Sequence, residues 1–217
     1  KRFGGVEALA GCSFAVEEGS ITSVIGPNGS GKTTLFNTVT GFVTPDDGEV
    51  LLRGQPIHRL SPDRVYARGL GRTFQQVRIF PRLSVLENVL VATSRSTLGQ
   101  ALFRRTGRSE RERAMALLDF VNIARLHDVP AGSLSFGQKK LLEIATILVG
   151  EPSVLLLDEP AGGVNPTMTE QIGERIRELN RRGITFVIVE HNMEFVMGIS
   201  HSVVVSRARG RVIAQDV

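Results

Sequence analysis

"GPNGSGKT", Gly26 to Thr33, fills every specified position of the pattern G-x-x-x-x-G-K-[ST]. Glycines at this spacing let successive backbone N–H groups turn inward around phosphate oxygens, where side chains would block the approach. An amine at Lys32 reaches the β- and γ-phosphates of a nucleotide, and the Thr33 hydroxyl is a hard ligand for Mg²⁺. Asn28, Gly29, Gly31, Lys32, Thr33 and Thr34 are therefore the candidate nucleotide contacts of this loop. A second stretch, "LLLDEP", ends an apolar run in Asp158 and Glu159. Asp158, at the end of a strand, suits a water-mediated hold on Mg²⁺. Glu159, where the chain turns at Pro160, suits a base that takes a proton from an attacking water. A third run, "TFVIVEH", closes on Glu190 and His191, and places His191 on the same edge as Lys32 and Glu159. His58, His127 and His201 have no such neighbours in the pattern and read as structural.

A fourth stretch has no client on that edge. In "LSFGQKK", Ser135 and Gln138 are spaced S-x-x-Q, an ordinary capping box that opens a helix. A helix start is also an anion site, so Ser135, Gly137 and Gln138 present a second phosphate grip far along the chain from the first.

The elements that must position these groups follow from apolar periodicity. "ITSVIG", "VLLLDE" and "TFVIVEH" are uninterrupted β-branched and aliphatic runs, which suit strands of a parallel sheet covered on both faces. Ligands of such sheets collect at the carboxyl ends of the strands, where all three charged endings fall. A helix is expected from Lys32 to Thr40, its positive end aimed at the phosphates. Residues 6 to 18 and Gly48 to Ile57 alternate around turn glycines and read as antiparallel strands. Ser84 to Ala92 and Ser109 to Leu126 read as helices, each opened by S-x-x-E, and a further helix is expected over 138 to 149. The expected organisation is an α/β core over about 1–75 and 150–217, an antiparallel β portion within it, and an inserted helical lobe over about 76–149.

Composition bounds the rest. The 217 residues suffice for one sizeable core, and 41% hydrophobic content with 23 glycines is that of a globular chain. No apolar run approaches the roughly 18 residues that span a bilayer. The opening "KRFGGVEALAG" lacks the apolar stretch of a signal peptide, so export is not expected. Cys12 is the only cysteine, which excludes an internal disulfide and a cysteine metal cluster and fits a reducing compartment. A net charge of +4 is modest and argues against a nucleic-acid partner, which calls for a concentrated basic stripe. Six arginines against two glutamates over 94–113 describe a solvated face, or one turned toward a membrane partner or anionic lipid.

The phosphate loop, "LSFGQ" and "LLLDEP", in that order and spacing, resemble the ATP-binding cassette (ABC) ATPases along essentially the whole chain. The resemblance implies that Phe3 stacks on adenine and that Gln75 in "GRTFQ" senses Mg²⁺ and the attacking water. It also implies that "AGGVNP" crosses to a partner subunit and that His191 is a switch at the γ-phosphate. Two such subunits would pack head to tail around two ATP molecules, each bound on one subunit's phosphate loop and closed by Ser135, Gly137 and Gln138 of the other. Longer stretches, "ARGLGRTFQQVRIFPRLSVLENV" and "VEHNMEFVMGISH", are similar to the ATP-binding subunits of branched-chain amino acid importers. Those act at the cytoplasmic face of the plasma membrane with integral permease subunits and an extracytoplasmic binding protein. The same cassette serves relatives that carry urea, amides or other hydrophobic amino acids, so the resemblance marks the chemistry more narrowly than the cargo. A soluble cassette of DNA repair or translation would carry a long coiled coil or a second cassette, and a GTPase would show N-K-x-D. Two departures stand out: Phe136 where the widespread signature has glycine, and Asn165 where the crossing loop of many cassettes ends in aspartate.

Overall fold

The computed structural model describes residues 1–93, 107–207 and the strand at 212–216. Most of the arginine-rich stretch 94–113 therefore lies outside the described residues.

The three apolar runs are strands: β3 at Ile21–Ile25, β7 at Val154–Asp158 and β8 at Thr185–Val189. They join β6 (Leu70–Arg72), β9 (Ser202–Ser206) and β10 (Val212–Asp216) in a sheet of order β10-β9-β3-β8-β7-β6. Five of its strands run parallel and β10 is antiparallel at one edge. Side chains alternate across a strand, so each run divides between two apolar layers. Leu155, Leu157, Phe186 and Ile188 point into one cluster with Ile21. Leu156, Val187, Val189 and Val204 point into the other with Val24. Burial on both faces is the reason these strands read as continuous apolar runs.

Helices cover each face. The second cluster is completed by Phe36 of α1 (Lys32–Val39) and Val65 of α2 (Pro62–Ala67). On the other face lie α3 (Val85–Thr93), α4 (Arg108–Phe120), α5 (Phe136–Leu148), α6 (Pro166–Arg181) and α7 (Met193–Ile199). Val85, Leu118, Leu142 and Ile172 of four of these helices share one apolar cluster with the strands.

Three expectations are corrected. Antiparallel pairing over 6–18 and 48–57 is confined to two hairpins, β1 (Arg2–Phe3) with β2 (Val6–Glu7), and β4 (Leu51–Leu52) with β5 (Gln55–Pro56). The S-x-x-E box at Ser84 forms, with the Glu87 carboxylate accepting from the Ser84 N–H at 2.7 Å. The helix expected from Ser109 begins earlier, at Arg108, where the Glu110 carboxylate accepts from the Gly107 N–H at 3.0 Å, half of a capping box because Gly107 has no side chain to complete it. That helix also ends at Phe120, since Asn122 takes a left-handed φ of 60° and turns Ile123 into the core. The helix expected over 138–149 starts at Phe136, because Ser135 already caps it.

Strand register decides where the chemistry meets. Asp158 pairs across to Val189, and Val24 pairs to the same Val189 from the other side. β3, β7 and β8 thus end level, and the phosphate loop, Glu159 and His191 all leave the sheet at one edge.

Candidate functional site

At that edge an open cleft of about 1000 Å³ is lined by Asn28 to Thr34, Gln75, Asp158, Glu159 and His191, and by β-hairpin residues including Arg2 and Gly4. The phosphate loop, both acids, the glutamine and the histidine named from the sequence come together there. Phe3 does not line this cleft; its ring is half exposed beside it, with the Lys1 ammonium 5.5 Å from the centroid. Ser135, Gly137 and Gln138 do not line it either.

The loop is built for anions. Gly31 precedes α1 with φ 92°, a left-handed turn closed to most side chains, and offers no side-chain cap. The first N–H groups of the helix therefore face the cleft without a competing acceptor from the N-cap, and no acidic side chain occupies the first turn. Lys32 is 7% exposed, and its ammonium donates to the carbonyls of Gly26 (2.8 Å) and Pro27 (2.9 Å). Burial pushes the Lys32 pKa down, and the nearby Glu159 and Asp158 carboxylates oppose that.

Asp158 is buried, and one of its oxygens accepts from the Arg72 guanidinium at 3.1 Å. Burial raises the Asp158 pKa, and the Arg72 pair opposes it. Arg72 also donates to Asn37 at 2.6 Å, and its guanidinium lies 4.9 Å from the Phe74 ring centroid and 5.4 Å from that of Phe36. Its Nε is buried without a hydrogen-bond partner among the described residues. The sequence reading missed Arg72, which hides as one basic residue in "GRTFQ".

Glu159 occupies the centre. Gln75 donates an amide N–H to one carboxylate oxygen at 3.2 Å, and His191 Nε2 lies 3.3 Å from the other. Its backbone has φ 51°, a left-handed conformation that costs a non-glycine residue about 1–3 kcal/mol. The Glu159 N–H donates to the Val189 carbonyl at 2.8 Å, and the Glu159 carbonyl accepts from the Lys140 ammonium. Glu190, read only as a neighbour of His191, is buried and accepts from the N–H groups of Ala161 (2.7 Å), His191 (2.7 Å) and Asn192 (3.1 Å). It clamps the loop after β7 to the loop after β8. His201 accepts from the Ile21 N–H at 3.0 Å, a structural role in line with the bland reading.

The "LSFGQ" turn behaves differently. Ser135 Oγ accepts from the Gln138 N–H at 3.3 Å, and Gln138 Oε1 accepts from the Ser135 N–H at 2.9 Å, the reciprocal box in full. Gly137 is buried, and a Cβ there would run into Met168 of α6, so its lack of a side chain has a reason within this chain. Phe136 is 45% exposed; a Cβ on Gly163 of the "AGGVNP" loop would lie 3.3 Å from its ring. Asn165 accepts from the Met168 N–H at 2.8 Å and caps α6, where an aspartate would do the same with a charge. Two charged residues of α5 were missed: Lys140, and Glu143, whose carboxylate accepts from the N–H groups of Phe74 (3.3 Å) and Arg78 (3.4 Å). Burial pushes the Glu143 pKa up to about 7, against the pull of those N–H groups, Lys140 and Arg78. The signal was present: both interrupt the buried period of Leu141, Ile144 and Leu148.

Hard oxygen donors suited to Mg²⁺ face the cleft at Thr33, Gln75 and Asp158. Among the described residues no group of three or more His, Cys, Asp or Glu could hold a metal alone. A donor set of one carboxylate and neutral oxygens fits an ion shared with phosphates and water.

A family model described as "ABC transporter" matches residues 9–162. A high-affinity branched-chain amino acid transport ATP-binding protein of Pseudomonas aeruginosa, BraF, is 40% identical over 94% of this chain and 84% of its own length. A nucleotide-free ATP-binding cassette from an ABC transporter superposes with a TM-score of 0.89 at 36% identity, over 99% of this chain and 87% of that one. A dimeric cassette in a post-hydrolysis state, bound to ADP and Pi, gives 0.82 at 27% identity, over 96% and 90%.

Proposed function

Because the chain belongs to the ABC transporter family, as an ATP-binding and ATP-hydrolysing subunit, we propose that it drives uptake of branched-chain amino acids. The observation that carries the enzymatic part is Glu159, held between Gln75 and His191 in the cleft that the phosphate loop lines. The cargo rests on BraF and on like-named relatives. Other hydrophobic amino acids fall within the same reading; a transporter of urea, amides or another cargo is the alternative, followed by a soluble cassette ATPase without a transport role.

Nucleotide phosphates lie on the N–H groups of the loop and the start of α1, with Lys32 turning from the Gly26 and Pro27 carbonyls to the β- and γ-phosphates. The adenine reaches past the cleft to stack on Phe3, whose half-exposed ring lies beside it. Thr33, Gln75 and Asp158 are the residues that would hold Mg²⁺, which when bound would neutralise charge on the phosphates. The Gln75 amide orients water in line with the γ-phosphorus. As the water oxygen bonds to phosphorus and the bond to the ADP oxygen breaks, Glu159 takes the proton. His191 donates toward the γ-phosphate and keeps the Glu159 carboxylate turned to the water. The reaction yields ADP and inorganic phosphate.

Ser135, Gly137 and Gln138 lie outside this cleft and close the nucleotide of a second ATPase subunit, identical or paralogous. Residues 76–149 form the helical lobe that presents them, and 1–75 with 150–217 form the core. No helix among the described residues is long and apolar enough to cross a membrane. The subunit sits peripherally at the cytoplasmic face, on integral permease subunits that receive cargo from an extracytoplasmic binding protein. It has no nucleic-acid partner.

The test is uptake by proteoliposomes holding the assembled transporter and ATP, with the binding protein supplied outside. ATP-dependent accumulation of labelled leucine, isoleucine or valine is the expected result. Accumulation of urea or an amide instead assigns the alternative cargo.

A further inference from the structure

The turn that opens α5 faces two ways. Ser135 and Phe136 are exposed, whereas Lys140, little more than one helical turn on, is buried at 6% exposure. Its ammonium donates to the main-chain carbonyl of Glu159 and lies 5.1 Å from the Phe136 ring centroid. Glu159 has the left-handed backbone that a side chain disfavours, so that conformation must be held from outside. Three contacts hold it: Val189 accepts the N–H at 2.8 Å, and the carbonyl accepts from the Gly162 N–H at 3.1 Å within the same turn and from the Lys140 ammonium, which reaches it from a different element. Burial pushes the Lys140 pKa down, and the charges of Glu190, Glu143, Glu159 and Asp158 oppose that. Burying an ammonium costs free energy unless it is paired and hydrogen-bonded, and this one is directed at the backbone of the residue that turns over ATP.

We propose that Lys140 is a positioning residue for hydrolysis: it locks the Glu159 backbone in place and thereby ties this chain's base to the helix start that closes on a partner's nucleotide. The second half rests on the reading of Ser135 as acting in trans. A partner that draws on the Ser135 turn displaces the first turn of α5. Lys140 carries that displacement to Glu159 on the same chain, which links the two composite sites without a shared ligand.

The test compares wild type, Lys140→Met and Lys140→Arg in the assembled transporter. It measures turnover against ATP concentration and the retention of labelled ATP after washing. Lys140→Met is expected to lower kcat at least about tenfold with KM within about twofold, the cost of a misplaced base, while ATP is retained. Lys140→Arg, which keeps a cationic donor at the carbonyl, is expected to hold at least about half of wild-type turnover. Undiminished kcat in Lys140→Met overturns the proposal, as does an equal fall in both variants. Loss of ATP retention in Lys140→Met also overturns it, because Lys140 would then support the Ser135 turn and not Glu159. Ser135→Ala, run alongside, keeps the two readings apart. Unchanged turnover there defeats the action in trans and leaves the Lys140–Glu159 link to be judged by the Lys140 variants.

Discussion

Two helix starts in this chain are made for anions, and they are finished in opposite ways. α1 begins at Gly31, which can offer no side-chain cap, so its leading N–H groups stand ready for phosphate at all times. α5 begins at Ser135, whose hydroxyl and the Gln138 amide satisfy each other's backbone N–H groups. Neither carries an acid in its first turn, and nor does α6, whereas α2, α3, α4 and α7 carry Asp63, Glu87, Glu110 and Glu194. An acid would complement the helix dipole and repel a phosphate, so its absence leaves both starts open to an anion. The difference lies in timing. An uncapped start suits a nucleotide that binds the lone subunit, and a capped start suits a site that stays closed until a second subunit arrives.

The contrast is probed hardest at Glu159, which belongs to neither start. Glu159→Gln should lower turnover by about 10²–10⁴ while ATP binding persists, so nucleotide accumulates between both grips. Hydrolysis at wild-type rate in this variant would remove Glu159 as the base. Ser135→Ala separates the starts themselves. Turnover should fall about tenfold, with ATP affinity of the isolated subunit unchanged and about 1 kcal/mol lost in chemical denaturation through the missing cap. An equal loss of affinity in the isolated subunit would make the two starts one site.

The smallest effect concerns what binds α5 to the cleft. Glu143 is neutral when protonated, and its folded pKa of about 7 lies above the ordinary carboxylate value of 4.5. The neutral form is thus favoured on folding. Its contribution to stability is whole below about pH 4.5 and is lost as pH rises toward 7. Glu143→Gln keeps a neutral side chain, so urea titrations should show that decline reduced, with the variant gaining on wild type toward pH 7 and above. A parallel decline in both would place the titration elsewhere.

Legibility in the sequence followed the range of the interaction. Phosphate loop, acids and capping box are local patterns, because each is a backbone shape that a few adjacent residues dictate. The strands were legible through burial on both faces, and the edge they share through the carboxyl-end rule of parallel sheets. Helix ends were less so: α4 starts and stops away from its expected limits, because Glu110 and Asn122 compete for the backbone with the pattern used to place it.

The sequence by itself determined the chemistry on offer: an anion-binding loop, a base with a metal-binding neighbour, and a second phosphate grip without a local client. Only the tertiary structure decided how those parts are held. Register brings Asp158 level with Val189 and Val24, Arg72 reaches Asp158 from β6, and Lys140 reaches Glu159 from a helix 19 residues away in the chain. The physical reason is that a buried charge is tolerated only where its partners converge. That convergence comes from packing distant segments together and leaves no spacing rule along the chain.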